Sequence, residues 1–307
     1  MVGTRGKGII YLFITVFLWS TIEVVSKPLN GRIDPLWIAF LRFFIGGVFL
    51  MPLVFIHWRK MDRKNVKAGD WAMFVLLSFL GITAAFILFH EALVGISATA
   101  AATLISTTPL FIAPLSLVFL KEKMGYLGLV GIFIGAIGIF VLIVFQEHHE
   151  IRLLSAPIMI LISVILFSVY SVGMKSLNER MNARITTPLS LFIGALMMLP
   201  IIAIKGTSFT AERMTVLAWA GIFYLGVVAV GLAYLLYFIG LESMEVSRGS
   251  SFIYLKPTIA ALLAWPILSE VPSLLSVVSI VLISFSVYIV VAEAGIKRIL
   301  KWKNGPE

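Results

Sequence analysis

Residues 9–27, IIYLFITVFLWSTIEVVSK, and residues 157–175, PIMILISVILFSVYSVGMK, read as one helix written twice. A shift of 148 residues lays Trp19-Ser20 on Phe167-Ser168 and Lys27 on Lys175. The same shift, without a gap, carries Phe44-Ile45-Gly46 onto Phe192-Ile193-Gly194 and Pro52 onto Pro200. Trp71-Ala72 meets Trp219-Ala220, Leu93 meets Leu241, Pro109 meets Pro257 and Glu122 meets Glu270. Gly128, Gly131 and Gly138 fall on Ser276, Ser279 and Ser286. A biased composition aligns Leu with Leu by chance, but not Trp, Pro, Lys and Glu in one register.

The repeated unit is built for lipid. Of the 307 residues, 60% are hydrophobic and 13% charged. A water-soluble fold of this length cannot hide that much apolar surface. Runs of about 20 apolar residues, enough to cross ~30 Å of hydrocarbon, occur near 9–27, 35–57, 71–92, 96–120 and 125–145. They recur near 153–175, 187–204, 214–239, 247–268 and 272–293. The fold class expected is therefore an all-α integral membrane protein of ten transmembrane helices. The first repeat takes residues 8–147 and the second 152–295. Connections are short, leaving no room for a soluble domain, and the first run lacks a small-residue cleavage site and reads as a membrane helix.

The basic residues orient it. With the N-terminus inside, 17 Lys and Arg fall on one side and 5 on the other, Arg42 and Lys256 lying within spans. Basic loops stay cytoplasmic, so both termini are expected there, in a multi-pass protein of a bacterial or archaeal plasma (inner) membrane. The net charge of +9 thus reflects orientation, and nucleic acid is not an expected partner. Five spans per half is an odd number, so the second half enters from the opposite face. Such inverted repeats expose a midplane site to each side in turn. The absence of cysteine removes disulfides, thiolate metal sites and thiol catalysis.

With Leu18-Trp19-Ser20 followed by Lys27 and Arg42, and Pro109 followed by Glu122, Gly125, Gly131 and Gly135, the sequence resembles the drug/metabolite transporter superfamily, specifically its EamA-type members with two repeats. The second repeat keeps Lys175, Pro257 and Glu270, and departs at Ser190, Ser273 and Ile283. The resemblance covers almost the whole chain, about Gly8 to Glu293. It implies a ten-helix basket in which helices one to four and six to nine surround a central cavity, with five and ten outside. It implies alternating access and the transport, often outward, of amino acids, other metabolites, nucleotide sugars, sugar phosphates or drugs. Fold alone does not choose among these.

Charge inside hydrocarbon costs at least ~2.5 kcal/mol at a helix centre, so each case asks for a reason. Lys256 lies about eight residues, or ~12 Å, into its span, near the midplane. A cation there suits a carboxylate or phosphate on a substrate. The resemblance adds that a helix-nine lysine contacts phosphate in sugar-phosphate members. The structural alternative pairs Lys256 with a helix-end carbonyl or with Glu23.

Glu23, Arg42, His90 and Glu91 form a second group in the outer part of the bilayer. Glu23 shares a helix face with Lys27. It is a candidate for proton binding, as the helix-one glutamate is in related small multidrug members, or for a fixed ion pair with Arg42. Arg42 and Glu91 read as an outer gate or ion pair, and His90 as a satisfied helix-end residue. Trp19, Tyr170, Tyr234, Tyr237, Tyr254 and Trp265 lie within spans, where buried Tyr and Trp need hydrogen-bond partners that a wet cavity provides. Trp19, Tyr170, Tyr234 and Tyr254 join Lys256 and Glu23 as candidate substrate contacts. On an ideal helix, Tyr254 and Lys256, two apart, do not share a face. Pro109 and Pro257 are candidate kinks whose freed carbonyls bind substrate or bend during gating. Gly131 and Gly135 make a small-residue packing face, within the chain or in a dimer. Glu122 and Glu270 read as caps of the helix that follows each.

Three function classes compete: a secondary transporter of a small polar or zwitterionic metabolite such as an amino acid, a membrane enzyme, and a scaffold. The sequence has no His-x-x-x-His, Gly-x-Ser-x-Gly or nucleotide-binding loop, which argues against the enzyme. A scaffold requires neither inverted symmetry nor midplane charge. No cofactor and no metal are expected. The expected partners are the substrate, the lipid bilayer and, as a candidate coupling ion, the proton, in a monomer or homodimer.

Overall fold

The structure, a computed structural model, describes residues 2–22, 25, 29, 33–61, 66–92, 98–145, 155–207, 209, 214–259, 262 and 274–303. All regular structure among them is helical. The first half contributes α1 (Val2–Ser20), α2 (Pro35–Trp58), α3 (Ala68–Ala92), α4 (Ala98–Ile105), α5 (Thr108–Phe119) and α6 (Tyr126–Phe145). The second contributes α7 (Ser155–Met181), α8 (Ala183–Lys205), α9 (Val216–Leu241), α10 (Val246–Ser250, continued by a 3-10 turn, Ser251–Tyr254) and α11 (Leu274–Lys303). Five of these, α2, α3, α7, α8 and α9, are each long and apolar enough to cross a bilayer. Their outer faces carry large apolar side chains, such as Phe55 and Ile204, left uncovered by the protein. Such surface is tolerated where the solvent is hydrocarbon.

Local chemistry sets the helix ends. The Asp34 carboxylate accepts from the Leu36 N–H at 2.8 Å, with Pro35 in the first turn, and starts α2. α7 runs on to Met181, beyond the apolar run expected to end at 175, and α8 begins at Ala183, ahead of 187. The two are joined through Asn182 alone, at φ 73°. Asn tolerates this left-handed backbone better than most residues. The polar stretch between the apolar runs is thus helix and not loop.

α3 and α9 each contain a widened π segment, Phe79–Ala84 and Leu225–Leu232. Residues 79–84 fall on 227–232 under the repeat, so the irregularity is duplicated too. Each π segment is clasped by a helix of the other half. A Cβ on Gly46 of α2 would stand 2.7 Å from the Gly226 carbonyl oxygen in α9, too close for any residue but glycine. Thr83 in α3 donates to the Gly194 carbonyl of α8 at 2.7 Å, and Gly194 is the counterpart of Gly46.

Counterpart helices pack on one another, α2 against α8 and α6 against α11, and α1 meets α9 as α3 meets α7. The α6–α11 pair reveals its direction. Gly128 faces Glu293, Gly131 faces Val290, Gly135 faces Ser286 and Gly138 faces Ile283. Every step along α6 is matched by an equal step back along α11, so these two equivalent helices are antiparallel. The Gly131–Gly135 face is therefore used within the chain. Ser286 seals the seam by donating to the Gly131 carbonyl at 2.7 Å.

Candidate functional site

Where α4 should run into α5 the helix breaks at Ser106-Thr107, and Pro109 lies in the first turn of α5. The counterpart region breaks as well. α10 gives way to the 3-10 turn Ser251–Tyr254 and helix resumes over 255–259, with Pro257 in its first turn. Pro109 and Pro257 thus restart helices and do not merely bend them, because proline lacks an N–H to continue the ladder. Hydroxyls cover carbonyls at both breaks. Thr107 donates to Leu104 O (2.6 Å), Ser251 to Arg248 O (2.7 Å) and Ser20 of α1 to Lys256 O (3.2 Å). Irregular backbone at membrane depth survives only where groups are satisfied in this way or line a cavity.

Both breaks open on one pocket of about 750 Å³, its mouth included. Ile105 and Thr108 reach it from the first break, Ile253 and Lys256 from the second. Trp19, Phe43, Phe86, Phe89, Phe167 and Tyr234 form an aromatic wall, and Ile22, Arg42, Ser163, Val164 and Val230 complete it. Two cations, Lys256 and Arg42, line the pocket together although each is more than nine-tenths buried. The Arg42 guanidinium lies 5.0 Å from the centroids of both Phe43 and Phe86, and such rings stabilise a desolvated cation by about 0.5–2 kcal/mol each. No carboxylate is among the described lining residues.

Trp19 packs edge-on to Tyr234 (5.4 Å between centroids) and Phe167 (6.2 Å). Its Nε1 is buried without a hydrogen-bond partner among the described residues. A buried donor left unmet costs about 1–3 kcal/mol and asks for an acceptor. The pocket can hold an anion at its cationic end and a flat or apolar body against the rings.

The sequence candidates divide. Lys256, Arg42, Trp19 and Tyr234 are together at the pocket. Tyr254 and Tyr170 are not among the lining residues of this pocket. The 3-10 turn directs Tyr254 onto α6, where its hydroxyl donates to Ile132 O at 3.1 Å. The Tyr170 hydroxyl bonds Ser190 Oγ at 3.0 Å, and its ring packs on Gly81. Tyr237 is equally buried, its hydroxyl donating to Ser171 Oγ at 3.4 Å.

His90 Nδ1 pairs with the Phe86 carbonyl one turn back (2.7 Å). Glu91 forms its ion pair with Lys205 at 2.6 Å. Glu122 does cap a helix, but one in the other half and not the helix that follows it. Its carboxylate accepts from Val246 N (2.6 Å), Ser247 N (3.1 Å) and Ser247 Oγ (2.7 Å) at the start of α10. Glu23, Lys27, Trp265 and Glu270 lie outside the described residues.

Sequence reasoning missed Phe43, Phe86, Phe89, Thr108 and Ser163. The repeat held a signal for two of them, since Phe86 falls on Tyr234 and Thr108 on Lys256.

Comparison with known proteins agrees with this geometry. The model of the EamA-like transporter family matches the chain twice, over residues 6–144 and 154–292. An uncharacterized transporter of Clostridium kluyveri is 26% identical over 287 residues, covering 90% of each chain. A probable terminal-alkyne amino-acid exporter of Streptantibioticus cattleyicolor is 26% identical over 273 residues, covering 89% of each. A solved crystal structure, at 19% identity, superposes with a TM-score of 0.77 over 93% of this chain and 97% of its own, and so shares the fold. The two matched regions span nearly the whole sequence, and the chain belongs to the EamA-like transporter family, whose members carry small molecules across membranes and are not enzymes.

Proposed function

We propose that this multi-pass membrane protein is a secondary transporter that exports a small carboxylate-bearing metabolite, such as an amino acid, by alternating access. The observation that carries the reading is the pairing of Lys256 and Arg42 in one buried pocket walled by aromatic rings. The positive charge of this lining favours a substrate anion. The rings and the waiting Trp19 donor suit an organic body with an acceptor. A relative's name as an amino-acid exporter points the same way.

In this reading the chain crosses the membrane ten times as two inverted repeats, residues 8–147 and 152–295, around the central cavity. The antiparallel α6–α11 pair supports the inversion. Both termini lie in the cytoplasm of a prokaryotic cell, where the Lys and Arg bias would hold them. Lys256, Arg42, Trp19 and Tyr234 contact the substrate, and Glu23 is the group through which a proton would be coupled. The phosphate of a sugar phosphate is the second reading, favoured by there being two cations where a carboxylate needs one.

The test is a thermal-shift screen of purified protein against amino acids, other carboxylates and sugar phosphates, followed by flux of the stabilising compound in proteoliposomes. Stabilisation by a carboxylate and its movement across the vesicle supports the first reading. Stabilisation by phosphates alone supports the second. Chemical alteration of the compound, or binding without flux, overturns both.

A further inference from the structure

The lining of the pocket is symmetric in one part and one-sided in the other. Of its fifteen lining residues, eight are each other's counterparts under the repeat, in pairs such as Trp19 with Phe167, Phe86 with Tyr234 and Thr108 with Lys256. The other seven have counterparts elsewhere. Ile22, Arg42, Phe89 and Ser163 correspond to Tyr170, Ser190, Tyr237 and Thr15. These four, and the three apolar counterparts as well, are all at 0–1% exposure. One half of a two-fold cavity is therefore open and the other closed.

The closed half is rich in hydroxyls. Tyr170 and Ser190 bond each other (3.0 Å), Tyr237 bonds Ser171 (3.4 Å), and Thr15 reaches the Ala233 carbonyl (3.1 Å). Beyond these groups toward the α7–α8 junction, Thr187 Oγ1 and Asn178 Nδ2 are buried with no hydrogen-bond partner among the described residues. Buried polar atoms of this kind ask for a partner, and water or substrate entering in another state would supply one. The two observations are independent, one of register and one of unmet polarity.

We infer that Tyr170, Ser190, Tyr237 and Thr15 line a second substrate-contact site, closed here and opened toward the α7–α8 junction when the protein turns to the other side of the membrane. The inference rests on the alternating-access reading above. The site takes the same carboxylate-bearing molecule, now held on its outward-pointing end by neutral hydroxyls in place of Arg42, since Ser190 is the counterpart of Arg42. The anion thus meets a cation at one mouth and none from that position at the other.

The chain has no cysteine, so single cysteines report directly. The variants are Ser190→Cys, Ser171→Cys and Thr187→Cys in the closed half, Ser163→Cys in the open pocket, and Phe13→Cys on the lipid face. Each is checked for a monodisperse gel-filtration peak and probed in vesicles of both orientations with a membrane-impermeant methanethiosulfonate. Three closed-half positions are used so that loss of one variant to misfolding leaves the test intact.

Ser163→Cys is expected to label from one face. The closed-half cysteines are expected to label from the other, at about 0.1–10% of the Ser163→Cys rate, the population of a minor state. Access only through unfolding gives less than about 0.02% of that rate at a stability of 5 kcal/mol. Rates that low at all folded closed-half variants, or labelling from the same face as Ser163→Cys, overturn the inference while leaving the open pocket and its transport role in place. Failure of Ser163→Cys itself to label removes the open pocket, and with it the transport reading and this inference.

Discussion

At the scale of single residues, the balance of cost and use decides which side chains matter. Lys256 is buried at the pocket and reached from a broken helix. Lys256→Ala is expected to reduce proteoliposome flux at least about tenfold, the loss of one charge-assisted contact of about 1.5–3 kcal/mol, with the gel-filtration profile unchanged. Unchanged flux would make Lys256 structural. Arg42→Lys keeps the charge but loses the planar group that packs against both Phe43 and Phe86. It is expected to weaken binding in the thermal-shift assay, as an ammonium is a poorer fit to two rings. Glu23→Gln is expected to flatten the pH profile of transport, and identical profiles in the two proteins would remove Glu23 from coupling. Lys256 and Arg42 were legible in the sequence because a charge in a long apolar run stands out. Phe43, Phe86 and Phe89 were not, because among 23 phenylalanines nothing local separates a ring facing a cavity from one facing lipid. The direction of Tyr254 was not legible either, because a 3-10 turn, invisible in composition, aims it at α6.

At the scale of elements, the seam between α6 and α11 and the cap on α10 make the sharpest claims. A Cβ on Gly131 would stand 2.6 Å from Val290, so Gly131→Leu should overpack the seam. The expected loss is about 1–3 kcal/mol, read as a lower melting temperature in detergent, and an unshifted melting curve would contradict the close packing. Glu122 holds the start of α10 through two backbone N–H groups and a hydroxyl. Glu122→Ala should destabilise by about 0.5–2 kcal/mol and Glu122→Gln by less, since an amide keeps one acceptor oxygen. The helix breaks were foreshadowed by Pro109 and Pro257. The π segments of α3 and α9 were not, because one extra residue per turn leaves no mark on the pattern of a helix that is apolar all round. The reach of Glu122 into the other half also lay beyond the sequence, which shows a cap-forming residue but not which helix it meets.

At the scale of the whole molecule, the repeat carried the plan. Two equal stretches, each closing with a glycine-rich or serine-rich helix, already implied two equivalent bodies, and the packing of α2 on α8 and α6 on α11 joins them. Tags on the two chain ends are expected to be protected or cleaved together when protease is added to intact cells, since both lie on the inner face in the proposed topology. Opposite behaviour would exclude an even number of crossings. The antiparallel match of α6 with α11 has a consequence for biogenesis. In the proposed topology two related segments leave the ribosome one after the other and are threaded into the bilayer in contrary senses, so the apolar helices they share do not tell the insertion machinery which way to place each. That instruction has to come from what differs between equivalent loops. Residues 59–67 hold five Lys and Arg, whereas the matching 207–215 hold one, Arg213. In the proposed topology a handful of loop charges therefore decides whether the two bodies ever meet face to face.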